Sequence, residues 1–415
     1  MASPDKLLSF ADARRCVEEH AAKLTPTPKE SLPILEAAGR FLAEDIAADR
    51  ALPPFPRATR DGYAVRSEDV AAGNTSLKLL GQVKAGEVWT GAAVGAGQCV
   101  EIMTGAPVPA GADAVVMVEY TRESGDAVEI KRRAAAGENI VATGSEAYRG
   151  QVLLPRGTRL GSAQIGLAAA VGKETVVVYR RPRVAILSTG DEIVAISAMP
   201  QTQQIRNSNS YSLAAQVLEA GGEPVQLPVA PDEHVRLQSL IQEGLEADLL
   251  LLSGGVSMGK FDLVEPVLAG FKAEFLFTGA FIQPGRPIVF GRAQGQTNPG
   301  RKTYFLGLPG NPVSTLVTFE LFAAHLVAKL AGGDRRLRYA SARLTAAVKT
   351  KPGLTRFLPA RLAGEQAAPS VEIVSWQGSG DMAATARANC YLIVPPDRPE
   401  MAVGETVSVL LPGHE

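Results

Sequence analysis

Residues 247–262 read ADLLLLSGGVSMGKFD. Four leucines, Leu249 to Leu252, run straight into Ser253-Gly254-Gly255-Val256-Ser257. An unbroken apolar run closed by a double glycine reads as a strand buried on both faces of a parallel sheet. The glycines let the backbone turn sharply and approach a ligand. Ser253 and Ser257 add hydroxyls, and free amides in such a turn bind anions. Asp262 follows closely, where its carboxylate could hold a metal bridging that anion. The same residues would also serve as a plain strand-to-helix turn, so their surroundings must decide.

Those surroundings alternate. Residues 184–187 read as a strand, 211–219 as a helix closed by Gly221-Gly222, 225–229 as a strand and 233–245 as a helix. After the leucine run come a short helix at 263–268 and strands at 275–277, 287–290 and 303–306. A long helix over 312–330 follows, with Asn311 as N-cap and Pro312 at its first position. Alternation of this kind predicts a three-layer α/β domain over 181–332 with a mostly parallel sheet. Residues 294–302 read as an exposed hairpin loop.

Outside that region the character changes. Phe10, Ala13, Val17 and Ala21 space a helix over 10–24, stopped by Thr25-Pro26-Thr27-Pro28. Residues 35–46 read as a short helix or strand. From 49 to 147, glycine and proline punctuate short apolar pieces, the pattern of a small β domain. A helix at 162–171 and a strand at 175–179 follow. Residues 1–48 plus 148–180 are therefore expected to form one discontinuous, helical N-terminal domain into which the β domain is inserted. Residues 333–415 are expected to form a C-terminal β domain.

Composition narrows the function. The chain has 415 residues, too long for a single core, and a formal net charge of −1. That balance gives no support for nucleic-acid binding, which usually carries a basic excess. Cys16, Cys99 and Cys390 form neither a zinc spacing nor a disulfide framework, and the four histidines lack ligand spacing. A metal here would be a hard cation on carboxylates, such as Mg²⁺. The N-terminus shows no signal-peptide core and no apolar run suits a bilayer, so neither membrane nor export is expected and the cytoplasm is the default.

Open α/β sheets bind ligands beyond the carboxyl ends of their strands. Here those ends carry Ser188-Thr189-Gly190-Asp191-Glu192, Pro231-Asp232, Ser253–Ser257 with Asp262, and Gly307-Leu308-Pro309-Gly310-Asn311-Pro312-Val313-Ser314. The turn Gln283-Pro284-Gly285-Arg286-Pro287 precedes another strand. Asp191, Glu192, Asp232 and Asp262 can organise Mg²⁺. The glycine turn and the helix start at Pro312 and Ser314 suit an anion, and Arg286 can fork onto an oxyanion. Individually, Asp232 would also cap a helix, and Asn207-Ser208-Asn209-Ser210 reads most simply as a capped loop. No phosphate-binding lysine loop, serine elbow or histidine-paired nucleophile is present. Chemistry would rest on positioning and electrostatics.

Six motifs occur in order: Asp61-Gly62-Tyr63-Ala64-Val65, Ile102-Met103-Thr104-Gly105-Ala106-Pro107-Val108-Pro109, Ser188–Glu192, Ser253–Ser257, Pro284-Gly285-Arg286-Pro287 and Gly307–Ser314. Together they resemble the MoeA and gephyrin E-domain family of molybdopterin molybdenumtransferases. The resemblance implies a homodimer of four-domain subunits, held through the discontinuous domain, with a site shared between the α/β domain of one subunit and the inserted domain of the other. It implies insertion of molybdate into adenylylated molybdopterin, with release of AMP and a need for Mg²⁺. The adenylylating enzyme is then an expected partner. By the same resemblance, Asp61, Thr104, Glu192, Asp232 and Asp262 are the catalytic group. Asp61, Glu146, Asp191, Glu192 and Asp262 are the metal-binding acids. Substrate would lie on Ser188, Thr189, Gly190, Ser253, Gly254, Gly255, Ser257, Gln283, Pro284, Gly285, Arg286, Pro309, Gly310, Asn311, Pro312 and Ser314.

The chain departs from the family where a Lys-Pro-Gly-Lys-Pro turn is usual. Gln283 is neutral and Arg286 replaces the second lysine. Arg57 or Arg60 is a candidate to restore the charge. A non-catalytic cofactor carrier or scaffold stays open on this ground; a nucleotide hydrolase built on the same α/β domain is a third reading, against which the Asp61 and Thr104 motifs on a separate domain argue.

Overall fold

Ser9 opens the first helix, its hydroxyl accepting the Asp12 N–H at 3.1 Å. In the computed structural model, which describes residues 7–255, 263–295, 300–364 and 368–413, α1 (Phe10–Ala21) ends three residues before the expected stop. Ala13, Val17 and Ala21 recur at helical spacing and are buried. They join the core of the α/β region rather than that of the segment next in sequence.

That next segment pairs strand to strand. β1 (Lys29–Pro33) lies antiparallel to β8 (Thr175–Tyr179). With α2 (Ser162–Ala170), residues 29–47 and 152–179 share a core built on Leu42, Ile46, Leu160 and Val178. Residues 35–45 are turns rather than a helix or strand. Gly39 takes a positive φ of 75°, and the apolar Phe41 and Leu42 bridge singly to Arg159 and Val178.

Between these two segments, the chain forms a six-stranded sheet: β2 (Gly62–Val65), β3 (Thr75–Val83), β4 (Gln98–Ile102), β5 (Ala114–Met117), β6 (Thr121–Ser124) and β7 (Ala127–Ile130). Its order is β5-β2-β4-β3-β7-β6. Tyr63 and Val65 face one core and Ala64 the other, the period of two that a two-sided sheet demands. At Gly62 a Cβ would lie 2.0 Å from the Val116 carbonyl oxygen, so only glycine lets β2 and β5 approach as they do.

The α/β region comprises β9 (Arg183–Ser188), α3 (Ser208–Glu219), β10 (Glu223–Gln226), α4 (His234–Leu245), β11 (Leu249–Ser253), α5 (Val264–Gly270) and β12 (Glu274–Phe277). It continues through β13 (Ile282–Gln283), β14 (Val289–Gln294) and β15 (Lys302–Leu308). The sheet runs β10-β9-β11-β15-β14-β12. Its first four strands are parallel and only β14 runs against them, antiparallel to both β15 and β12, which makes the sheet mostly parallel. β10 starts two residues earlier than expected, and β14 starts two later because Pro287 still belongs to the preceding turn. β14 and β15 pair antiparallel out to Gln294 and Lys302, while residues 296–299 of the expected loop lie outside the described residues. Along β11, Leu249 and Leu251 enter one core and Leu250 and Leu252 the other.

The closing helix is interrupted. α6 (Pro312–Thr318) passes through a wide π turn at Phe319–Ala323 into α7 (Ala324–Leu330). Asn311 occupies the N-cap position without a side-chain cap; the Thr315 hydroxyl instead donates to Pro309 and Asn311 carbonyls. Most of this 19-residue apolar stretch is buried, so its hydrophobicity serves the core. Glu320 on the π turn is buried and accepts from Arg335 Nη2 at 2.7 Å on both oxygens. Beyond it, β16 (Arg338–Leu344), β17 (Thr355–Ala363), β18 (Ser370–Ile373), α8 (Met382–Arg387), β19 (Cys390–Val394) and β20 (Thr406–Leu411) form the C-terminal unit. β17 pairs with both β18 and β19, bending that sheet back on itself. β13 joins its edge through β17, tying the α/β region to the tail.

Removing one partner of a buried ion pair leaves a charge without compensation. Arg335→Met is therefore expected to cost about 3–5 kcal/mol, read as a lower urea midpoint. Pairing it with Glu320→Gln is expected to recover part of that loss. Equal midpoints for the single variant and the parent chain would refute the assignment.

Candidate functional site

The carboxyl ends of β9 and β11 and the loop after β15 open onto one cavity of about 550 Å³. Its lining includes Thr189, Gly190, Glu192, Asp232, Ser253, Gly254, Gly255, Pro309, Gly310, Asn311 and Pro312. Gly254 and Gly255 have φ of 91° and 62°. A Cβ on Gly254 would sit 2.8 Å from the Thr189 carbonyl oxygen, and one on Gly255 would sit 2.6 Å from Thr189 Oγ1. The double glycine thus allows the turn to fold against the Thr189 loop. The Gly254 N–H is already committed to the Leu308 carbonyl, so that amide is not free for an anion.

Ser188 and Asp191 are not part of the lining. Ser188 Oγ donates to Asn207 Oδ1 at 3.1 Å and shares a hydrogen with Ser210 Oγ at 2.9 Å. Asp191 Oδ1 accepts the Asp232 N–H at 3.0 Å. Asp232 does not cap α4, whose N-cap position is Glu233. Burial, and then the negative charges of Asp191 and Glu192, push the Asp232 carboxyl up. Carboxylates crowded in this way are hard-oxygen donors whose repulsion a divalent cation would relieve. Among the described residues no three metal-ligating side chains converge, so ligand oxygens and water would have to complete a coordination shell. Ser257 and Asp262 lie outside the described residues.

The remaining expected residues fall in two other places. The Gln283–Arg286 turn and the buried Ser314 do not line the cavity; a Cβ on Gly285 would touch Thr318 Cγ2 of α6 at 2.3 Å and lie 3.7 Å from the Ser314 carbonyl oxygen. Gln283 Oε1 accepts from Arg356 Nε at 2.8 Å. Asp61, Thr104 and Glu146 belong to the inserted segment and do not line the cavity either. Asp61 Oδ1 accepts both the N–H and the hydroxyl of Thr104 at 2.6 Å, and these bonds hold its carboxyl below the ordinary value. Glu146 pairs with Arg57 at 2.9 Å, and Arg60 donates to its neighbour Thr59.

Asn209 was missed as a site residue. Asn207 does cap α3, accepting the Ser210 N–H at 3.1 Å. Asn209, however, lines the cavity, and its Nδ2 donates at 2.8 Å to both Ser253 Oγ and the Gly310 carbonyl. It joins the ends of β11 and β15 across the site. Its Oδ1 and the Thr189 Oγ1 are shielded from solvent with no hydrogen-bond partner among the described residues. The signal was its spacing: Asn209, Leu213 and Val217 recur every four residues, which puts a polar residue on the buried face of α3.

Known proteins resemble this chain along most of its length. The MoeA N-terminal region (domain I and II) matches residues 8–172, a probable molybdopterin binding domain matches 185–329, and the MoeA C-terminal region (domain IV) matches 341–411. The molybdopterin molybdenumtransferase of Bacillus subtilis is 35% identical over 90% of this chain and 87% of its own. That of Haemophilus influenzae is 33% identical over 92% and 94%. A crystal structure of a molybdopterin biosynthesis MoeA protein from Pyrococcus horikoshii superposes with a TM-score of 0.78, at 30% identity, over 98% of this chain and all of that one.

Two titrations check the electrostatics. Glu192→Gln is expected to lower the Asp232 pKa, because one repelling charge is gone. Thr104→Val is expected to raise the Asp61 pKa toward its ordinary value, because one of the two bonds that lower it is gone. The stabilisation from the Asp61–Thr104 bonds is present above that ordinary value and is lost as pH falls through the lowered one. Carboxyl NMR titration reads both; unmoved values would refute the couplings.

Proposed function

Because the chain belongs to the MoeA family, we propose that it is a molybdopterin molybdenumtransferase that inserts molybdate into adenylylated molybdopterin and releases AMP. The observation that carries this reading is the cavity itself, where a double-glycine turn, crowded carboxylates and orphaned buried oxygens meet. A phosphorylated heterocycle has the matching chemistry. Its ring N–H groups would satisfy Asn209 Oδ1 and Thr189 Oγ1, and its pyrophosphate would lie by Ser253, Gly254 and Gly255.

In this reading Asp191, Glu192 and Asp232 would hold Mg²⁺ beside the pyrophosphate, with Asp262, outside the described residues, the further acid that the resemblance implies. When bound, that ion would neutralise phosphate charge and assist the departure of AMP. Glu192 and Asp232 set the field at the bond that breaks. Asn209 keeps the two strand ends at fixed separation, so the ligand meets a preorganised wall. The turn from Gln283 to Arg286, with Ser314, receives the molybdate oxyanion through charge-assisted bonds.

Asp61, Thr104 and Glu146 then act from a second subunit. Within one chain they do not reach the cavity wall, and a two-fold dimer could bring the inserted sheet of one subunit over the α/β edge of the other. Thr104 holds Asp61 ionised and aimed.

Purified protein with Mg²⁺, adenylylated molybdopterin and molybdate is expected to release AMP, and to stop when molybdate or Mg²⁺ is omitted. No AMP release from folded protein would overturn the proposal. The shared site has its own test. Asp61→Ala and Glu192→Ala are each expected to abolish turnover, whereas randomly mixed dimers of the two are expected to regain about a quarter of the parent rate. No recovery in confirmed mixed dimers would place all the residues in one subunit.

A further inference from the structure

A second cavity, of about 880 Å³, opens where the unit of residues 29–47 and 152–179 meets the start of the C-terminal unit. It shares no lining residue with the cavity at the strand ends. Among the described residues its wall carries four arginines, Arg159, Arg335, Arg336 and Arg338, and one acid, Asp334. These charges do not cancel. Arg335 is taken up by Glu320, 2.7 Å from both carboxylate oxygens. Asp334 lies 3.1 Å from Lys329 Nζ and 3.7 Å from Arg336 Nε. Arg159 and Arg338 have no carboxylate partner among the described residues, and the Nε of each is shielded from solvent without a hydrogen-bond partner there. Leaving a shielded, charged donor unpaired is costly. Burial, and then the positive charges of Arg335 and Arg181, push the Arg159 pKa down, with no acid opposing them.

The backbone fixes both sides of this wall. Arg159 bridges antiparallel to Phe41, two residues before Gly161, the N-cap of α2. Gly161 lines the cavity together with Gln164 of the first helical turn, so the positive end of a nine-residue helix adds to the guanidinium field. On the other side, Arg338 opens β16 opposite Leu411 of β20, and its Nη2 donates to the Pro412 carbonyl at 3.2 Å. The two sides touch: a Cβ on Gly157 would lie 3.3 Å from the Gly332 carbonyl oxygen. Guanidinium donors without acids, beside a helix start, match phosphate oxygens in charge and geometry. The volume falls within the range of about 300–1,000 Å³ usual for small-molecule sites.

We propose that this cavity is a second ligand site, which takes a small phosphorylated molecule with two or more negative charges on Arg159 and Arg338, with Arg336 and the start of α2 adding to the field. Such an anion would satisfy the two orphaned Nε donors and tie the C-terminal unit to the unit that carries α2. The site stands apart from the strand-end cavity and does not depend on the activity proposed for it.

Hydrogen exchange on the full-length protein tests it, with inorganic pyrophosphate and AMP as separate probes at fixed ionic strength. At least one probe is expected to slow exchange across residues 157–165 and 334–341. Stronger protection by pyrophosphate would identify a compact diphosphate as the ligand class, and stronger protection by AMP a nucleoside phosphate. Arg159→Gln and Arg338→Gln are each expected to raise the Kd read from this protection by about tenfold. Arg336→Glu is expected to raise it severalfold. The Arg336 side chain is 89 % exposed, so this variant covers the case in which the other two weaken folding. No protection of these segments by either probe, or an unchanged Kd in folded variants, would overturn the proposal. Protection confined to residues 189–192 and 253–255 would overturn it as well, by assigning all binding to the strand-end cavity.

Discussion

Strand β11 has no free edge. It lies parallel to β9 on one side and to β15 on the other, and its leucines alternate between two separate cores. Every backbone group must meet a neighbouring strand, and a one-residue slip would move each leucine to the wrong core. That constraint holds the carboxyl ends of three strands level. Ser188, Ser253 and Leu308 are register partners in one row. The loops that follow these residues have no choice but to share a rim, and the cavity is the space between them.

Electrostatics then divides the rim. At one end the acids are crowded, and burial and the neighbouring carboxylates push the Asp232 carboxyl up. At the other, beyond α6, Arg356 and Arg286 have no carboxylate partner among the described residues. The long π-interrupted helix separates the two ends while belonging to both: its start touches the Gln283–Arg286 turn, and its middle carries the Glu320–Arg335 pair that roots the tail. Opposite charge fields held apart by rigid packing suit a ligand with separate anionic and metal-binding parts.

Much of this was legible from residues alone. The leucine run, the alternation after it and Pro312 at a helix start led to a mostly parallel three-layer sheet, because those signals are local and periodic. The acids and glycines of the cavity were legible because strand ends in such sheets gather on one side. What escaped depends on contacts far apart in sequence. Arg356 sits in an unremarkable strand, and its meaning comes from Gln283, 73 residues away. Asn209 looked like part of a cap because Asn207, two residues before it, does cap α3. The turns at 35–45 escaped because their apolar residues bridge singly to distant strands.

The first helix gives the fold a temporal dimension. Arg14 bonds the Leu321 carbonyl across 307 residues, and Ala13, Val17 and Ala21 are buried in a core that the far half of the chain completes. At ordinary ribosomal speeds of about 5–20 residues per second, α1 leaves the tunnel roughly 15–60 s before its seat exists. During that wait its apolar stripe is bare. The protein therefore begins life with its earliest helix unhoused, a natural client for whatever shields nascent chains, and its α/β core can close only when synthesis is nearly over.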